Sequence, residues 1–146
     1  MAGVISTGLA WATASSRSSS TLVGRGTFEP FKILRKGENN WDVKVEGKDG
    51  LDVVTQTITF QVGGQSGWHS HPGPVFITVK EGTMTFYEAD CSASVRTAGE
   101  GFLDTGAHPH LARNESGAPA TNVVTYFVPR GAPVRIDEPA PPTCPI

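Results

Sequence analysis

All four histidines of the chain fall in two His-x-His pairs, His69-Ser70-His71 and His108-Pro109-His110. Imidazole is the commonest neutral metal ligand, and residues two apart on an extended strand point to one face, so each pair can aim two nitrogens at one point. The spacing predicts a metal site. Few other groups offer chemistry. Tyr87, Tyr126 and Gln65 are the candidate catalytic residues, with Glu88 and Arg113 as further polar neighbours in sequence. No spacing rule places any of the five beside a metal, and a structural role explains each more simply.

Strands must position the pairs. Beyond Gly26 the chain becomes a series of short runs rich in Val, Ile, Thr and Phe, broken by Gly, Pro, Asn and Asp, which reads as all-β. Asp52 to Val62 alternates Val54, Ile58, Phe60 and Val62 on one parity with Thr55, Thr57 and Thr59 on the other, as a strand with two unlike faces does. Val75 to Lys80 and Thr83 to Glu88 flank Glu81-Gly82, which reads as a tight hairpin turn with Gly at positive φ. Gly99 to Leu103 and Val123 to Val128 supply two more strands, no segment carries sustained helical periodicity, and no internal repeat is visible. The pattern predicts a sandwich or barrel. From Pro129 onward, Pro133, Pro139, Pro141, Pro142 and Pro145 predict an extended arm that covers an edge instead of joining the ladder as a regular strand.

Two stretches, Gly63 to Gly82 and Gly99 to Asn114, resemble the two motifs of the cupin superfamily. Gly63, His69-Ser70-His71 and Gly82 are in register with the first motif; Gly99, His110 and Asn114 are in register with the second. His69 to Phe76 and His110 to Asn114 look like small bacterial cupin proteins. The resemblance implies a single-domain jelly-roll β-barrel, residues 27–146 with the Pro-rich C-terminal arm, holding one divalent transition metal on His69, His71 and His110. In the family a glutamate of the first motif completes the site; its position here is Val75, which has no oxygen to give. Thr105 and Ala107 stand where Pro and Gly are usual, and Gly106 is left to make the turn. His108 is either a fourth ligand or a hydrogen-bonding group at the cavity mouth, since it shares parity with His110 but is separated from it by Pro109. The cavity wall is drawn from Phe76, Thr78, Phe86, Phe102 or their parity partners.

Neutral nitrogen ligands suit copper, iron, zinc or nickel better than magnesium or calcium, and the Irving–Williams order favours copper wherever it is available. Open positions on a redox metal admit dioxygen or peroxide, so the expected activity is that of a metal-dependent oxidoreductase acting on a small organic, phenolic or carbohydrate substrate. Two alternatives stand beside it: a non-catalytic cupin that binds a sugar, small molecule or metal, and a metal-dependent isomerase or lyase. Trp68 should face away from the ligands by alternation, and Trp41 falls in a turn region. Exposed, either could stack on a sugar or join a dimer contact; buried, each is ordinary packing.

At 146 residues the chain fits one domain. Twelve basic residues oppose 14 acidic ones with no Lys/Arg block, which argues against a nucleic-acid partner. No apolar run approaches the roughly 20 residues of a membrane span, so no membrane partner is expected. Residues 1–26 form the leader. Val4 to Ala14, with no Lys or Arg before Arg17, reads either as a truncated export signal or, with Thr13 to Thr21, as a flexible Ser/Thr-rich linker. The two cysteines, Cys91 and Cys144, are a candidate disulfide, which would fit a secreted or periplasmic protein; free thiols would fit the cytoplasm. By resemblance the assembly is a homodimer.

Overall fold

Alternation of apolar and polar residues sets the strands of this chain, and the fold is what results when their apolar faces meet. The computed structural model describes residues 11–146; most of the candidate export segment Val4 to Ala14 lies outside the described residues. The strands are β1 (Ser16–Phe28), β2 (Phe31–Lys36), β3 (Asp42–Gly47), β4 (Leu51–Gln65), β5 (His69–Ser70), β6 (Val75–Glu81), β7 (Thr83–Glu88), β8 (Ala93–Thr97), β9 (Gly101–Asp104), β10 (His110–Arg113), β11 (Ala120–Val128) and β12 (Ile136–Asp137). No helix occurs among the described residues. A ten-stranded antiparallel sheet runs β12-β5-β10-β4-β11-β6-β9, with β1 added beside β4 and with β7 joining β10 to β8; β2 and β3 pair separately. The sheet curls into a nearly closed jelly-roll barrel.

β11 shows why these residues are strands. Ala120, Asn122, Val124, Tyr126 and Val128 are buried and the residues between them half-exposed, a strict period of two. β6 does the same with Val75, Ile77 and Val79 inward and Phe76, Thr78 and Lys80 outward. These rows, with Val54, Phe60, Met84 and Phe86, make the main core. On the opposite parity of β4 and β11, Thr55 meets Thr125 and Thr59 meets Thr121 through their hydroxyls, at 3.4 and 3.2 Å, cross-strand pairs that help hold register.

Three features depart from the sequence expectation. Glu81-Gly82 is not a hairpin turn: β6 pairs with β9 and β11, whereas β7 pairs with β8 and β10. Gly82, at φ +78°, turns a corner between partners, and a Cβ there would meet the Pro119 carbonyl at 2.7 Å. A glycine between two apolar runs reads the same in either geometry, because the partners are chosen by distant strands.

The second departure is β1. The stretch expected as part of a leader and linker is instead a 13-residue strand from Ser16, laid against β4 from Ser16 opposite Gln65 to Phe28 opposite Leu51. Backbone pairing needs no apolar side chains, so composition hides it. Asp52 fastens the strand: its Oδ2 accepts from Arg25 Nε at 2.7 Å, its Oδ1 from Thr27 Oγ1 at 2.8 Å, and Gly131 N donates to Oδ2 at 2.9 Å. Third, a separate hairpin of β2 and β3 went unread in the sequence.

The Pro-rich arm lies across β5. β12 pairs Ile136 with Ser70 and Asp137 with His69, Glu138 N donates to the Trp68 carbonyl at 3.0 Å, and Ser70 Oγ donates to Glu138 Oε1 at 2.8 Å. Cys144 is fully buried beside Trp68 and Leu111 and is disulfide-bonded to Cys91.

Two outcomes follow. The hydrogen bonds from Gly131, Thr27 and Arg25 lower the Asp52 carboxyl from 3.8 to about 2. A carboxyl lowered on folding stabilises the fold above its unfolded pKa and ceases to do so as pH falls through its folded pKa. The stability advantage of wild type over Asp52→Asn should therefore be complete above about pH 4 and shrink toward pH 2, measured by urea denaturation across that range. Replacing both cysteines by serine, which opens a link between residues 53 apart in sequence, should cost about 2–5 kcal/mol in the same assay.

Candidate metal centre

β5 is only two residues long, yet His69 and the following His71 turn their rings into one cluster while Trp68 packs with Leu111 and Cys144 and Ser70 bonds Glu138. β10 delivers the third imidazole directly opposite, His110 being paired with His69. The three rings lie with centroids 4.8, 4.2 and 5.0 Å apart, and one nitrogen from each falls within 4.8 Å of the others. All three side chains are buried.

The backbone fixes which nitrogen faces the centre. The Gly67 carbonyl accepts from His69 Nδ1 at 2.9 Å, and the Val134 carbonyl accepts from His71 Nδ1. A carbonyl can only accept, so Nδ1 carries the proton in both rings and Nε2 keeps a free lone pair, as hydrogen-bonded metal-binding histidines do. Burial lowers the pKa of each ring: His69 falls well below its usual value, His71 to about 4, and His110 also falls, with the nearby Asp104 carboxylate opposing part of the effect. The imidazoles are thus neutral at pH 7 and available as ligands.

A residue absent from the sequence reading joins them. Asp104, the last residue of β9, is buried, with Oδ2 3.0 Å from His110 Nδ1 and 3.6 Å from His71 Nε2. Its Oδ1 accepts from Gly106 N at 2.8 Å, whereas Oδ2 has no hydrogen-bond partner. The one signal available in the sequence was a carboxylate inside the second motif, immediately before the irregular Thr105-Gly106-Ala107 turn. Gly106 does make that turn, at φ +87°, where a Cβ would strike the Gly73 carbonyl at 2.3 Å. Val75, at the position of the missing glutamate, is fully buried in the apolar core.

The other candidates separate clearly. His108 is exposed and lies in the bend before β10 begins, so strand parity does not apply to it and it is not a member of the cluster. Its carbonyl lies 3.5 Å from His110 Nδ1. Tyr126 is buried with its ring 5.3 Å from that of His71, and its hydroxyl donates to Gln56 Oε1 at 3.2 Å; burial raises its pKa to about 12. Tyr87 sits elsewhere, donating to Glu115 Oε1 at 2.8 Å. Gln65 is paired in register with Arg113 at the end of β4, and Glu88 is exposed; none of these three lines the cavity. Trp68 is fully buried and donates Nε1–H to the Ile146 carbonyl at 2.9 Å, so it packs away from the ligands and offers no sugar platform. Trp41 is exposed at the β2–β3 turn. Asn114, the last residue of the second motif, braces the scaffold: its Nδ2 donates to the carbonyls of Phe60 and Ala118 at 3.1 and 2.8 Å.

The histidines open onto a cavity of about 270 Å³. Phe60, Ile77, Phe86 and Val124 supply its apolar wall, Gln56, Asn122 and Tyr126 its polar groups, and β1 and the arm contribute Ser18, Ser20 and Arg135. Phe86 faces inward and stacks on Phe102 at 4.4 Å, whereas Phe76 and Thr78 face outward and Ile77 takes the inward place. Three neutral nitrogens beside an unpartnered carboxylate oxygen form a donor set fitted to a transition metal rather than to magnesium or calcium.

Comparisons with known proteins agree with this fold. A family model described as cupin domain matches residues 56–126. An uncharacterised conserved protein with a double-stranded β-helix domain from Klebsiella pneumoniae superposes with TM-score 0.52 at 18% identity, covering 75% of this chain and 84% of that one. A cupin-like protein from Thermotoga maritima gives 0.51 at 17% identity over 60% and 65%. The polyketide cyclase RemF from Streptomyces resistomycificus gives 0.50 at 20% identity over 62% and 65%. No curated protein matches significantly. With both motifs inside the matched segment and their histidines gathered in one barrel, the chain is a small cupin-domain protein.

Proposed function

We propose that the protein is a mononuclear metal-dependent oxidoreductase holding copper, or else iron, on His69, His71 and His110. The observation that carries this reading is the convergence of three buried imidazoles, two with Nδ1 tied to a carbonyl, at the wall of a cavity open to solvent. A redox-active ion held there would supply electron transfer toward dioxygen or peroxide. The protein's own groups bind and orient the substrate: the apolar wall takes a ring or short chain, while Asn122, whose buried Oδ1 has no partner, offers an acceptor to a hydroxyl.

The cavity favours a small organic or phenolic substrate. At about 270 Å³ it lies just below the usual range for small-molecule sites, and the burial of Trp68 leaves no tryptophan lining it on which a carbohydrate polymer could stack, Trp41 lying apart at the β2–β3 turn. The Cys91–Cys144 bridge supports a secreted or periplasmic location. A second reading, a non-catalytic small-molecule binder, is favoured by the scarcity of proton-transfer groups: Tyr126, with its pKa raised to about 12, is a poor acid or base at pH 7.

Protein purified without a His-tag and loaded with Cu(II) should hold one ion per chain and show nitrogen hyperfine structure by electron paramagnetic resonance. His110→Ala should lose stoichiometric uptake; wild-type affinity in that variant would reverse the ligand assignment. Copper-loaded protein given reductant and dioxygen should oxidise small phenols. Binding of those phenols with no oxidised product would leave the binder reading in its place.

A further inference from the structure

The strongest unexplained feature of the molecule is an oxygen. Asp104 Oδ2 is buried with no hydrogen-bond partner, although buried carboxylate oxygens are nearly always paired, because an uncompensated buried charge is costly. It lies 3.6 Å from His71 Nε2, the nitrogen left free once Nδ1 is held by Val134. It is also 3.0 Å from His110 Nδ1, without the alignment of a hydrogen bond. The other oxygen, Oδ1, is held by the Gly106 amide, which restrains the carboxylate in this orientation.

We infer that Asp104 is the anionic ligand of the centre, giving through Oδ2 the carboxylate oxygen that Val75 cannot give from β6. The inference rests on the metal reading above and adds a residue to it. Charge and geometry support it together. Three neutral imidazoles leave a divalent cation with its full charge in a buried place, and one carboxylate halves that charge. A separation of 3.6 Å between Oδ2 and His71 Nε2 is close to the distance between neighbouring ligands whose bonds are about 2.0–2.2 Å long. The carboxylate has moved from the first motif to the second, from a strand on one side of β11 to the end of β9, which pairs with that same strand: Val75 and Asp104 are cross-strand partners. The replacement oxygen therefore enters from the position directly facing the one that lost it.

Asp104→Asn tests this with little structural disturbance, since the amide oxygen keeps the bond to Gly106. Three measurements apply. In a competition titration with Cu(II), the variant should bind at least about tenfold more weakly than wild type, the lower range seen when even an indirect carboxylate partner is lost. Its Cu(II) paramagnetic resonance should keep the three-nitrogen hyperfine pattern while g and the copper splitting shift. Without metal, its melting temperature should equal or exceed that of wild type, because a buried unpaired charge has been removed, and the rise on adding Cu(II) should be smaller. Unchanged affinity and spectrum, with one Cu(II) bound by both proteins, would overturn the role of Asp104 and leave the three-histidine site standing. Weaker binding with an unchanged spectrum would also overturn it as a ligand, making it a positioning residue for His110. Failure of wild type to take up Cu(II) would instead remove the metal reading on which it rests.

Discussion

Three imidazoles withdrawn from water beside one carboxylate form a cluster that the protein alone leaves unbalanced. Burial disfavours the charged form of each ring, so His69, His71 and His110 are all displaced toward neutrality, and the protein supplies no donor for Asp104 Oδ2. A native structure retains such an arrangement when something else satisfies it. A cation would do so at once, taking the free lone pairs of the rings and the charge of the carboxylate. The remainder of the fold can be understood as what keeps these groups together without it.

That support comes from register. His110 meets His69 only because β10 pairs with β5 at that residue, and a slip of one position would turn the ring to the opposite face. β5 has two residues, far too few to hold register unaided. Its neighbours supply the constraint. The C-terminal arm pairs along its other edge through β12 and is itself pinned by the Cys91–Cys144 bridge. The same arm gives the Val134 carbonyl that orients His71, so a segment that reads as a Pro-rich tail is part of the site. At the motif ends, Gly63 N donates to the Asn114 carbonyl and Asn114 N to the Gly64 carbonyl, both at 2.9 Å, tying the end of β4 to the loop after β10.

What could be read beforehand follows from which interactions are local. The three clustered histidines announce themselves by residue type and spacing, and the alternation of β6 and β11 is a property of consecutive residues. β1 was unreadable because its hold on the barrel is a backbone ladder plus Arg25 and Thr27 reaching Asp52 across 27 and 25 positions. The corner at Gly82 was misread for a related reason: a glycine reports positive φ without naming the strands that pair on either side. His108 and Asp104 illustrate the limit most clearly. Parity favoured His108, but parity holds only inside a strand, and the bend through Gly106 places His108 outside one. Asp104 lies on a different strand from any histidine, and the pairing of β9 with β6 and the bond from His71 N to the Gly106 carbonyl bring it near.

The same long-range pairing bears on specificity. The cavity wall combines β4, β6, β7 and β11 with Ser18 and Ser20 of β1 and Arg135 of the arm. β1 contributes side chains to this wall but none of the three imidazoles, whereas the arm both lines the wall and, through Val134 and β12, holds His71 and β5 in place. The three clustered histidines come from β5, the residue after it and β10, whereas the shape and polarity of the cavity depend partly on the two terminal segments. Side chains drawn from segments so far apart in sequence are a direct reason why fold likeness at 17–20% identity carries the barrel from one protein to another but not its substrate.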